Sequence, residues 1–222
     1  MLPPGSTIAF YGDSITTGWR SISAPDKRWT ARVCAEYGWT ERNIARGGMG
    51  FVRWRGERPS EDEPREHTGE SLGLLAEVLA SDADACVVAL GCNDSVLVNE
   101  DRRTGSTHWT NEIRRAIERD LDLLIERFGP ARLAVFDLYR LFPFDDAGLP
   151  ADGSALPPGW LGVRAQLVPA CADRGIPLLD ARAPEVHRGD CFGSDGIHPN
   201  DAGHAALAGA LGPRLFAHFA AA

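Results

Sequence analysis

The chain has 222 residues, 44% of them hydrophobic, enough for one sizeable core in a single domain over 1–222, and a formal net charge of −8 at pH 7. With a sequence pI near 5.2 it lacks the basic face that binding a phosphate backbone demands, so nucleic acid is not an expected partner. Met1 to Ser6 shows neither the basic nor the apolar stretch of a secretory signal, and no apolar run is long enough to cross a bilayer, so a cytoplasmic location is expected.

In chain order, Ile8 to Tyr11 is a short apolar run that reads as a buried strand and ends abruptly on Gly12-Asp13-Ser14. Lys27 to Tyr37 has helical periodicity, with Trp29, Val33 and Tyr37 on one side, and Trp39 to Ala45 reads as the second strand, leading into Gly47-Gly48-Met49-Gly50. Arg53 to Glu70 is charged and poor in aliphatic residues, a solvated loop that begins beside the glycines and so could rim a site. Ser71 to Ala80 looks helical, with Leu72, Leu75, Ala76 and Leu79 on one face. Asp84 to Leu90 is a nearly continuous apolar run, the pattern of a parallel strand covered on both faces, and it ends on Gly91-Cys92-Asn93-Asp94.

After a polar loop, Trp109 to Phe128 forms a long amphipathic helix with Ile113, Ile117, Leu121, Leu124 and Ile125 inward, closed by Gly129-Pro130. Arg132 to Leu138 and Leu178-Leu179 are the fourth and fifth strands. The Pro- and Gly-rich stretch from Tyr139 to Trp160 reads as a long loop of the kind that shapes pockets. Trp54, Trp109 and Trp160 could stack on a sugar ring, although packing is the commoner role for each. Asn200 caps a final helix bearing Leu207, Leu211, Leu215 and Phe219, which Pro213 is expected to break or kink. Alternating strands and helices imply a three-layer α/β/α sandwich around a parallel sheet.

Five cysteines, Cys34, Cys86, Cys92, Cys171 and Cys191, form no Cys-x-x-Cys pair, and His67, His108, His187, His204 and His218 have no ligand spacing, so neither a disulfide framework nor a metal centre is expected. The glycines do not complete Gly-x-Gly-x-x-Gly, because Arg53 stands at the last position, and no Walker-type Gly-Lys-Ser/Thr occurs.

Four short segments carry chemistry instead. Ser14 sits at the carboxyl end of a strand, where open α/β sheets bind ligands, although Asp13 and Ser14 are also ordinary helix caps. A serine hydroxyl becomes a nucleophile when a base takes its proton, and His198 in Asp195-Gly196-Ile197-His198-Pro199 is the candidate base, with Asp195 spaced to orient it. The oxyanion that then develops needs placed donors. The backbone N–H of Gly50, the Asn93 side chain and the Ser14 N–H are available for that role, while Asp13 and Asp94 suit capping or supporting roles.

Taken together, Gly12-Asp13-Ser14, Ala45 to Gly50, Gly91 to Asp94 and Asp195 to Pro199 resemble the four sequence blocks of the SGNH hydrolases, the GDSL esterase/lipase superfamily, in order and at about the spacing of that family. Met49 and Gly48 depart from the usual second block, so the assignment of Gly50 is one choice of alignment, and Cys92 puts a thiol beside the site that could make it sensitive to thiol reagents. The resemblance implies a flavodoxin-like five-stranded parallel sheet, with Ser14, Asp195 and His198 catalytic and with Ser14, Gly50 and Asn93 forming the oxyanion hole. It further implies a small acyl ester as substrate, probed with short or acetyl chains first, and no metal or organic cofactor. Acyl transfer or thioester cleavage is the alternative within catalysis, and a flavodoxin-like binding module the alternative outside it.

Overall fold

The computed structural model describes residues 2–56, 66–140, 149–150, 154–187 and 190–221. Its centre is a five-stranded parallel sheet in the order β2-β1-β3-β4-β5. The strands are β1 (Thr7–Gly12), β2 (Thr40–Ala45), β3 (Ala85–Ala89), β4 (Leu133–Phe136) and β5 (Leu178–Leu179). Successive side chains of a strand face opposite ways, so β1 sends Ala9 and Tyr11 into one core with Cys86 and Val88, and Ile8 and Phe10 into the other with Ala85 and Val87. Both faces are therefore apolar and both must be covered, which is why β1 and β3 read as continuous hydrophobic runs. Strand β2 lies at the edge, and its sequence alternates accordingly, with Ile44 buried and Glu41 in an ion pair with Arg28 at 3.0 Å.

Helices α2 (Trp29–Tyr37) and α7 (Asp201–Ala221) cover the second core, where Trp29 packs edge-on against Phe10 and Phe136. Helices α3 (Leu75–Ala80), α4 (Ser95–Thr104), α5 (His108–Phe128) and α6 (Pro158–Ala172) cover the first. The inward stripe of α5 is the expected one, while α3 begins only at Leu75 because Gly73 has a φ of +53° and its missing side chain lets the Arg55 carbonyl approach. The buried side chains of the α3 region are Leu74, Leu75 and Val78, and Leu72 is exposed.

Two helices fall outside the sequence expectation. Helix α4 occupies part of the polar loop, and its buried Asp101 accepts the Trp109 and Thr110 N–H groups at the start of α5, at 3.2 and 2.7 Å. Helix α6 takes up the end of the expected Tyr139 to Trp160 loop, and residues 141–148 and 151–153 of that loop, like 57–65 of the earlier one, lie outside the described residues. Helix α7 continues unbroken past Pro213, since Leu207, Leu211, Leu215 and Phe219 are buried on either side of it and the lost hydrogen bond falls on an exposed position. Asn200 caps it as expected, its Oδ1 accepting the N–H groups of Ala202 and Gly203. Among the described residues no helix is long and apolar enough to cross a membrane.

Candidate active site

The register aligns Gly12 of β1 with Ala45 of β2 and with Ala89 of β3, so three loops leave the sheet side by side: Asp13-Ser14, Arg46 to Gly50 and Gly91 to Asn93. The strand order reverses between β1 and β3, the switch point outside which such folds bind ligands. Gly12 is required there, because a Cβ would lie 2.2 Å from the Thr16 hydroxyl. The chain turns at once into the short helix α1 (Ser14–Thr17), whose N-cap Asp13 accepts the Ile15 N–H at 3.0 Å. Ser14 is thus the first residue of a helix, 9% exposed, with its own N–H unused and its hydroxyl without a hydrogen-bond partner among the described residues.

On the opposite rim, Asp195 and His198 form the expected pair. His198 Nδ1 and Asp195 Oδ2 are 2.6 Å apart, and Asp195 Oδ1 accepts the N–H groups of Ile197 and His198, each at 2.9 Å. The imidazole and these N–H groups hold the Asp195 carboxyl well below the usual carboxylate range, so it stays ionised. The second ring nitrogen of His198, Nε2, is unpaired among the described residues. This loop is tied to the Ser14 side by Ser23, whose N–H and hydroxyl donate to Asp201 at 2.9 and 2.5 Å. Burial pushes the Asp13 carboxyl up to about 7, against the lowering influence of the Ile15 N–H and of His198.

The third side is the most tightly built. Asp94 is fully buried and accepts three successive backbone N–H groups, from Phe51, Val52 and Arg53, at 2.7, 3.1 and 2.9 Å. Burial pushes its carboxyl up to about 6 even so. Asn93, in the turn Cys92–Asp94, donates from Nδ2 to the Met49 carbonyl at 3.1 Å and keeps its other amide hydrogen. The strands thereby bring Asn93 and the glycine loop together beside Ser14.

Gly50 does not serve as expected. Its N–H donates to the Arg53 carbonyl at 2.8 Å, and it is a glycine for another reason, since a Cβ would lie 2.4 Å from the Asp94 carboxyl. The N–H of Gly48 has no partner among the described residues, and Gly48 has a φ of +75°. Gly47 and Gly48 lie between two indoles, with Trp19 3.0 Å from a Cβ on the first and Trp54 2.5 Å from one on the second. Two further residues went unread in the sequence: Arg53, which reaches back over this loop, and Arg55, whose guanidinium is buried against Asp120 at 2.5 Å while donating to the Phe51, Ser71 and Leu72 carbonyls. Both sat in a charged stretch that resembled any solvated loop.

The remaining candidates take packing roles. Trp160 is buried and donates to the Tyr139 carbonyl at 3.3 Å, Trp109 packs edge-on with His67, and Trp54 lies beneath Arg53. The thiol of half-buried Cys92 donates to the Tyr139 carbonyl at 3.5 Å, and burial raises it well above the usual thiol range, which disfavours the thiolate. Among the described residues no cluster of His, Cys, Asp and Glu could hold a metal ion.

The fold is similar to that of known proteins. A lipase described as GDSL lipase Rv0518 from Mycobacterium tuberculosis is 29% identical over 216 residues, covering 94% of this chain and 80% of the relative. The psychrotrophic esterase EstA from Pseudoalteromonas superimposes with a TM-score of 0.61 at 12% identity, covering 96% of this chain and 97% of its own. Est24, a carbohydrate acetylesterase from Sinorhizobium meliloti, does so with a TM-score of 0.55 at 15% identity, covering 96% and 99%. Residues 10–206 match the model of one family, and the chain accordingly belongs to the GDSL-like lipase/acylhydrolase family of hydrolases.

Proposed function

We propose that the protein is a serine esterase that cleaves O-acyl esters with short acyl chains through an acyl-enzyme on Ser14. The observation that carries this reading is the Asp195–His198 pair joined at 2.6 Å, supported by a helix-starting serine and an asparagine with a free amide hydrogen on loops that leave neighbouring strands. In the reaction His198 Nε2 takes the proton of Ser14 Oγ as that oxygen attacks the ester carbonyl. Asp195, kept ionised, holds the Nδ1–H tautomer and stabilises the imidazolium that results. The oxyanion of the tetrahedral intermediate is met by the Ser14 N–H, the Asn93 amide and, in place of Gly50, the Gly48 N–H. The intermediate collapses as His198 returns the proton to the departing alcohol, and a water deprotonated by the same histidine then frees the acid.

Preference for a short acyl group has one support: the fold neighbour Est24 is a carbohydrate acetylesterase. The test is hydrolysis of a graded series of p-nitrophenyl esters beside Ser14→Ala, with a fluorophosphonate label located by mass spectrometry. Turnover that is highest with acetyl, absent in Ser14→Ala and matched by label on Ser14 is the expected result. Unlabelled Ser14 with no turnover sinks the esterase reading, and transfer to an added alcohol faster than hydrolysis moves the protein to the acyltransferases.

A further inference from the structure

Arg53 closes on the glycine loop twice. Its main-chain carbonyl accepts the Gly50 N–H, and its guanidinium turns back so that Nη1 donates to the Gly48 carbonyl at 2.6 Å and lies 3.5 Å from Asn93 Oδ1. The guanidinium rests on the Trp54 ring, 3.8 Å from its centre, and the Arg53 N–H is one of the three that Asp94 accepts. One side chain therefore touches both Gly48, whose N–H has no partner among the described residues, and Asn93, which keeps one amide hydrogen.

Each contact removes a freedom that would spoil an oxyanion hole. Two consecutive glycines can swing between widely different backbone conformations, and Gly48 sits at a positive φ that depends on its surroundings to persist. Tying its carbonyl to a guanidinium held on an indole leaves one conformation. An asparagine amide can rotate by half a turn and exchange oxygen for nitrogen. With Nδ2 donating to Met49 and Oδ1 facing a cation, the Asn93 amide has one orientation, and the cation polarises the amide toward donation.

We propose that Arg53 is the positioning residue of the oxyanion hole, fixing Gly48 through its carbonyl and Asn93 through its amide oxygen so that both N–H groups face the tetrahedral oxyanion. The proposal rests on the reading of Ser14 as nucleophile and Asn93 as oxyanion donor. It assigns Arg53 no contact with substrate, so the effect belongs in kcat.

The experiment compares wild type, Ser14→Ala and Arg53→Met, whose thioether stem can keep its seat on Trp54, on p-nitrophenyl acetate. Expected for Arg53→Met is a kcat lower by roughly 10- to 100-fold, the usual cost of losing a group that orients a reacting residue, with KM within about twofold of wild type. Ser14 still takes the fluorophosphonate label to completion, and added guanidinium chloride restores part of the kcat of Arg53→Ala while leaving wild type unimproved. Wild-type kcat in Arg53→Met beside an inactive Ser14→Ala overturns the role of Arg53 and leaves the nucleophile standing. An active Ser14→Ala overturns the underlying reading and the proposal with it. If Arg53→Met does not fold, Arg53→Gln decides: its neutral amide ends two bonds short of Nη1 and reaches neither oxygen, so a lowered kcat supports the proposal and an unchanged one ends it.

Discussion

The two flanks of the crevice are built in opposite ways. On the flank beyond β2 and β3, Met49, Phe51, Val52, Arg55 and Asp94 are buried, and nearly every polar group is spoken for: Asp94 by three N–H groups, Gly50 by Arg53, Arg55 by Asp120 and three carbonyls. On the flank before α7, the Asp195 side chain is 47% exposed and Ile197 is 52% exposed. Among the described residues that loop is held by its own turn, the Gly193 N–H to His198 carbonyl bond at 2.8 Å, by Ser23 donating to Asp201, and by Asn200, which donates to the Cys191, Asp190 and Phe192 carbonyls. The difference matches the role proposed for each flank. Donors for an oxyanion stabilise it most when they need no reorganisation, whereas a base must meet first Ser14, then the leaving alcohol, then water. A hydrogen bond from Ser14 to His198 that forms only with substrate in place is ordinary for such a pair.

The largest expected effect comes from the exposed flank. His198→Ala removes the base and lowers kcat/KM for p-nitrophenyl acetate by roughly 10⁴-fold or more, on the scale known for serine hydrolases. Because the ring lies on a solvent-facing turn, its loss leaves the melting temperature close to wild type, measured by circular dichroism. A large fall in melting temperature would show that this flank is as integral to the fold as the other, and would dissolve the contrast.

The buried flank predicts the reverse pairing, with a smaller loss of rate and a change in pH behaviour. In Asp94→Asn one oxygen remains as acceptor while the new NH₂ faces a backbone N–H, so the loop from Phe51 to Arg53 loses its anchor. A fall in kcat of roughly 10- to 100-fold with a lowered melting temperature is expected. The sign of the pH effect follows from the direction of the shift. Burial raises the Asp94 carboxyl to about 6, above its unfolded value, so the folded state binds the proton more tightly than the unfolded one. The stability it contributes is complete below the unfolded carboxylate range and is lost as pH rises through about 6. Wild-type melting temperature should accordingly drop across that interval more than that of Asp94→Asn; equal slopes would mean that Asp94 does not titrate there.

Much of this contrast was legible in the sequence, but only its exposed half. Gly12-Asp13-Ser14, Asn93 and Asp195 to His198 are short patterns whose chemistry travels with residue type and spacing, and the apolar runs of β1 and β3 announced a sheet covered on both faces. The brace was not legible. Arg53 and Arg55 act by folding back on carbonyls of a loop whose shape is set by Asp94, some forty positions away, and no local pattern encodes that. Gly50 was read as an oxyanion donor because glycine admits close approach; what approaches is the Asp94 carboxyl. Helix α6 escaped notice because Pro158 and Gly159, in its first turn, fell in the stretch read as a loop, although Trp160, Val163, Leu167 and Ala170 keep helical spacing.

The smallest effect expected is none, and it is the most direct probe of the brace. Cys92 is next to Asn93, yet its thiol donates to the Tyr139 carbonyl and is held well above the usual thiol range by burial, so the reactive thiolate is scarce at pH 8. Iodoacetamide should leave activity intact and the Cys92 peptide unmodified over a time in which diethyl pyrocarbonate, which attacks accessible imidazole, inactivates the enzyme by modifying His198. The two reagents thus report on the two flanks in one preparation. Rapid inactivation by iodoacetamide with the mass increment on Cys92 would mean that the wall behind Asn93 opens in solution. The donors it carries would then have to be assembled in each catalytic cycle, which contradicts a preset oxyanion hole.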